Sequence, residues 1–218
     1  MNLATLFARI AQIAAALAVL ALLVLHLVRP ELAPADHMIS EYAVGSYGWV
    51  MTLSFVGFAV ASFALLGAAA SHVKTWPGRI GLVFLALAGV GSLIGGIFAI
   101  DPTTTDPEKM SFSGHMHGVG FMIGVPSELL TVLLLSIAAR KVEAWSAPKL
   151  AVLAGLVWAS LGVMIPLLIA GHGFGLPNRT FMVFYAGFLF AAARPLADRI
   201  GISPRGSSLV AGVVSRSS

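Results

Sequence analysis

Glu128 is the residue of this chain whose position most demands a chemical explanation. It follows Pro126 and Ser127 deep inside an apolar run over 114–139. A carboxylate at the centre of a bilayer costs on the order of 2.5–3.5 kcal/mol on insertion scales, so it must be neutral, paired or turned toward a cavity. His117 stands eleven positions earlier, almost three whole helical turns. The two therefore share a face and are separated by about 16 Å along the axis. The structural alternative is a protonated acid bonded to a serine of a neighbouring helix, with Ser54, Ser92 and Ser160 available.

A second group gathers at one end of the apolar segments. Asp101 closes one run, His115 and His117 open the next, and His172 sits in the glycine-rich stretch 171–175. Zinc accepts three or four nitrogen or oxygen ligands, so His115, His117, His172 and Asp101 form a candidate metal set. Residues two apart on an ideal helix point about 200° from one another, so His115 and His117 can share a metal only if that stretch is unwound. The alternative is interfacial histidines bonded to water or headgroups. Ser40 with Glu41 could act as nucleophile and base, and the same pair could equally cap a turn. The candidate catalytic residues are thus Glu128, Asp101, His117, Ser40 and Glu41. The chain carries no cysteine, so thiolate chemistry and thiolate metal sites are excluded.

These residues must be positioned by membrane helices. At 58% hydrophobic and only 10% charged, with a mean hydropathy of +0.94, the chain lies far from a soluble domain, where about 25% of residues are charged. Six spans are expected, at about 8–28, 48–71, 79–100, 114–139, 149–170 and 177–194, within one domain over 1–199. No alternating strand pattern is present, so the fold class is an all-α integral membrane bundle. The first run is longer than a signal peptide's apolar region of roughly 7–15 residues and reads as a retained span. The tail over 200–218 reads as flexible.

Charge sets the expected orientation. Arg9, Lys74, Arg79, Arg140, Lys141, Lys149, Arg194, Arg199, Arg205 and Arg216 fall on one side of the spans. The positive-inside rule makes that side, and both termini, cytoplasmic. The loops over 29–47, 101–113 and 171–176 are then extracytoplasmic. Only Arg29, Lys109 and Arg179 are cationic there, and Arg179 is expected to snorkel outward from the sixth span. The other arrangement is a helix that begins earlier, with Arg179 facing a polar cavity. A sequence pI of 9.9 would suggest nucleic acid in a soluble chain. Here the basic residues flank spans, so membrane lipids are the expected partner and nucleic acid is not.

The stretch Ile39-Ser40-Glu41-Tyr42-Ala43, followed by Gly45 and Gly48-Trp49, combines with Asp101-Pro102 and Gly114-His115-Met116-His117. In these motifs the chain resembles the bacterial multi-pass membrane family catalogued as domain of unknown function 998. The resemblance implies a helical membrane fold of several spans and brings no activity with it. A Ser, Asp and several His at one membrane face are also similar to the site of the seven-span ceramidase superfamily. This chain departs from that pattern in having six spans and no His-x-x-x-His on its last helix.

Two functions are compatible with these residues. One is a membrane-embedded enzyme acting on a lipid-like substrate by hydrolysis or acid–base rearrangement. The other is a carrier or a lipid-binding or accessory protein, with Glu128 as proton or ligand site. Helices broken at the midplane by Pro126 or Pro166 would favour a carrier.

Overall fold

The computed structural model describes residues 2–198 and contains six long helices. They are α1 (Leu3–Val28), α2 (Gly48–Ala69), α3 (Trp76–Ile97), α4 (Phe112–Ala139), α5 (Ala147–Ala170) and α6 (Gly175–Ala197). All six are long and apolar enough to cross a membrane. No strand occurs among the described residues. The expected tail over 200–218 lies outside them.

Each helix packs against its neighbours in sequence and α6 returns to α1, so the six form a ring, with α2 also reaching α6 across it. In lipid there is little hydrophobic drive between helices, and close backbone approach by small residues takes its place. Ala8, Ala11, Ala15 and Ala18 of α1 are buried accordingly, while Leu17, Leu20 and Leu27 face outward. The tightest approach joins α3 to α4. A Cβ added at Gly91 would land on the Cα of Gly124, and one at Gly120 would come within 3.0 Å of the Gly91 carbonyl oxygen.

Local signals fix the helix ends. Asn2 caps α1 by accepting from the Thr5 amide at 2.8 Å. Thr75 caps α3, with Pro77 in its first turn, and Ser111 caps α4 by accepting from the Gly114 amide at 3.0 Å. These are ordinary oxygen caps of orphaned amides. Gly171 ends α5 with φ +79°, a conformation that glycine adopts without a Cβ penalty. Pro126 and Pro166 lie inside α4 and α5, and neither helix is interrupted.

The two ends of the ring differ. At the basic end short turns join α2 to α3 and α4 to α5. There the Trp145 indole donates to the Ala192 carbonyl at 2.9 Å, and Ser136 donates to the Leu150 carbonyl at 3.1 Å. The other end carries the loops over 29–47, 98–111 and 171–174, and the sixth helix enters it differently from expectation. α6 begins at Gly175, before the expected start at 177, which places Arg179 in its second turn. Arg179 does not snorkel. It turns inward, and its Nε donates to Nε2 of His26 on α1 at 2.6 Å.

Candidate functional site

Glu128 and His117 line one cavity of about 290 Å³ at the loop-rich half of the bundle. It lies between α3, α4 and α6, with Phe55 of α2 and Met164 of α5 completing its walls. Glycines 91, 95, 120 and 124 form much of the α3–α4 side. The seam that lets these helices touch thus also leaves room beside them. α4 and α6 barely meet, and the space between them is this cavity. Gly118 and Phe121 line it while being exposed on the outside of the bundle. The cavity therefore opens sideways along the first half of α4.

Glu128 is only 4% exposed, and its Oε2 has no hydrogen-bond partner among the described residues. Thr131, one turn further along α4, has a buried Oγ1 in the same condition. The serines expected to satisfy Glu128 are committed elsewhere in two of three cases. Ser54 donates to the Ala18 carbonyl at 3.0 Å, and Ser160 donates to the Leu156 carbonyl at 2.9 Å. Ser92 lines the cavity with Glu128. A buried polar oxygen without a partner costs roughly 1–3 kcal/mol.

His117 is 7% exposed. Its Nδ1–H donates to the Phe98 carbonyl at 2.8 Å, and its ring packs edge-on against Phe55. A carbonyl only accepts, so the neutral ring has its remaining lone pair at Nε2. Helical geometry thus carries the stripe expected from sequence: His117 near the loops and Glu128 about 16 Å deeper on the same face.

The remaining candidates divide. Ser40 lines the mouth of the cavity, beside Met38 and Ile39. Glu41 does not face it as a base. One of its oxygens accepts from the Met38 amide at 2.7 Å and the other from His37 Nδ1 at 2.7 Å. The carboxylate is committed to its own turn, and no hydrogen bond joins it to Ser40 among the described residues. Asp101 is likewise occupied, accepting from both the amide and the hydroxyl of Ser111 at 2.7 Å. It ties the end of the α3–α4 loop to the cap of α4. Gly114 is required beneath it, because a Cβ there would meet the Asp101 carboxylate.

The zinc set does not come together. α4 is helical from Phe112, so the unwinding that would let His115 and His117 converge is absent. His115 is exposed and lies outside the cavity lining, and His172 is exposed at the α5–α6 turn. Among the described residues, no three His, Asp or Glu side chains are grouped so that they could hold a metal ion.

Sequence reasoning missed the framework over the cavity mouth. The Asn178 carboxamide oxygen accepts from the Ile39 amide at 3.0 Å, and both residues line the cavity. Arg179 donates to the His37 and Gly175 carbonyls at 2.6 and 3.0 Å and to the Tyr42 hydroxyl at 3.2 Å. Asp36 accepts from the Gly173 amide at 2.8 Å, and the Ala35 carbonyl accepts from the Gly175 amide at 2.7 Å. The α1–α2 loop is thereby fastened to the start of α6. Arg29 steadies its far side through the Val44 and Ser46 carbonyls, both at 2.8 Å, and through Glu31. That contact with Arg29 holds the exposed Glu31 carboxyl below its usual range. The one available signal was Arg179 itself, a cation too close to a span to be indifferent.

One family model matches residues 12–195; its description is protein of unknown function, DUF998. No curated protein and no solved structure matches this chain.

Proposed function

The chain belongs to the DUF998 family of proteins of unknown function, and from its cavity we propose that it binds a lipid-like molecule entering sideways from the bilayer. The observation that carries this reading is the Glu128 carboxyl, buried and without a hydrogen-bond partner among the described residues, on the lining of a cavity whose walls are otherwise mainly apolar. Sites for small molecules combine such walls with a few placed polar groups. Binding is favoured over transport because Pro126 and Pro166 leave α4 and α5 unbroken. In the same reading the basic end is cytoplasmic and the cavity draws on the extracytoplasmic leaflet.

One observation favours a second, catalytic reading. His117 and Glu128, an imidazole and a carboxyl, face the same space, as acid–base work on a bound lipid would need. Ser40 at the mouth is its candidate nucleophile. Turnover of a bound lipid would establish that reading.

Photolabelling tests the binding site. Protein in lipid nanodiscs is irradiated with a diazirine-bearing single-chain lipid and the adducts are mapped. Adducts should fall on Phe121, Val125, Glu128, Met164 and Met182, and Gly118→Phe should suppress them. Gly118 lines the cavity and a Cβ there meets nothing within 4 Å, so that variant adds bulk at the mouth without a clash at its first side-chain atom. Adducts confined to outward residues such as Leu17 and Leu20 would defeat the proposal. Sidedness is tested separately, since the chain lacks cysteine and Asp106→Cys gives a single thiol. Labelling of that thiol from the cytoplasmic side alone would reverse the orientation.

A further inference from the structure

Resting on that binding reading, we infer that the ligand is a neutral, hydroxyl-bearing single-chain or isoprenoid lipid that enters polar end first, with its hydroxyl at Glu128 and its chain toward the mouth.

The cavity has polar groups at two depths, and their demands differ. Near the mouth, Asn178 is already bonded to the Ile39 amide and His117 to the Phe98 carbonyl. At the floor, the Glu128 carboxyl lines the cavity and is bonded to nothing among the described residues. A ligand lying with its head at the mouth and its alkyl end at the floor would leave the buried Glu128 carboxyl unpartnered. The reverse orientation supplies the missing bond. The wall between the two depths is chiefly glycine, phenylalanine and methionine, which suits a hydrocarbon chain.

Charge narrows the head. Among the described residues no Lys or Arg lines the cavity. A phosphate or carboxylate at the floor would have no cation to meet it and would face another acid. An ammonium head would have to shed its water to pair with a buried carboxyl, a cost that often exceeds the attraction gained. A hydroxyl carries no such charge. It donates to the acceptor oxygen of Glu128 and accepts from the carboxyl when that is protonated.

The test uses the full-length protein in nanodiscs with two photoactivatable hexadecanol probes, one with its diazirine beside the hydroxyl and one with it at the chain end. The hydroxyl-end probe should label the floor, from Gly124 to Glu128 and at Met164 or Met182. The chain-end probe should label Met110, Gly114 or Gly118. Unlabelled hexadecanol should displace both probes at least ~10-fold better than hexadecanoate, hexadecyl phosphate or hexadecylamine. Glu128→Gln, which keeps an acceptor oxygen, should retain the labelling pattern. Glu128→Leu should lose floor labelling by the hydroxyl-end probe. A reversed pattern, or equal displacement by any of the three charged competitors, would overturn this inference while leaving the cavity a binding site. Failure of both probes to label any cavity residue would overturn the binding reading itself.

Discussion

Arg179 on α6 donates through Nε to Nε2 of His26 on α1 at 2.6 Å, joining residues 153 positions apart. His26 meets the Leu22 carbonyl through Nδ1, also at 2.6 Å. A carbonyl accepts and a guanidinium only donates, so the ring must be neutral with its proton on Nδ1. Among the described residues no carboxylate lies within ion-pair distance of Arg179; its partners are a ring nitrogen, a hydroxyl and two carbonyls.

That arrangement depends on a planar fork with several fixed donors, which an ammonium cannot reproduce. Arg179→Lys should destabilise the protein by about 2 kcal/mol, roughly 4–8 °C in Tm. A thermal melt in detergent checks this, and an unchanged Tm would mean the network contributes nothing net.

The α3–α4 contact should be equally intolerant. Gly91→Ala forces a methyl against the backbone of Gly124 and should cost about 1–3 kcal/mol. Gly155→Ala meets nothing within 4 Å and should be neutral or stabilising by up to about 1 kcal/mol, since alanine favours the helix. Unfolding curves of the two variants against wild type make the comparison.

Asp101 is expected to act on structure rather than chemistry. Asp101→Ala removes two bonds to Ser111 and should cost about 1–2 kcal/mol. Hydrogen exchange should quicken over residues 111–115, while labelling of the Glu128 floor is kept. Loss of floor labelling with unchanged exchange would point to direct contact with ligand instead.

Thr131 offers a test in the opposite direction. Its Oγ1 is buried without a partner, so Thr131→Val deletes an unmet polar group at nearly constant shape. The substitution should be neutral or stabilising by about 1 kcal/mol. A marked fall in Tm would show that the hydroxyl is bonded after all.

The six helices were legible because span length and apolar composition are local properties of the chain. Glu128 was legible for the same reason: a carboxyl inside an apolar run is conspicuous wherever it points. The start of α6 was not. Hydropathy treats Arg179 as the edge of a span, whereas its position is decided by His26 and the His37 carbonyl, which no window around residue 179 contains. The histidine and acid cluster misled in a related way. Asp101, His115, His117 and His172 do lie at one end of the bundle, but sharing an end is not convergence. The α4 helix turns His115 away from His117, and Ser111 occupies Asp101.

The fastening of the α1–α2 loop to the start of α6 has a consequence for the order of assembly. Its bonds join residues 35–39 to residues 173–179, so none can form until nearly the whole chain has left the ribosome. The floor at Glu128 also draws on Met182 of α6, so it waits for the same helix as its rim. A nascent chain halted before Gly175 would therefore hold Glu128 in an unfinished vestibule, and synthesis of α6 is the step that completes it.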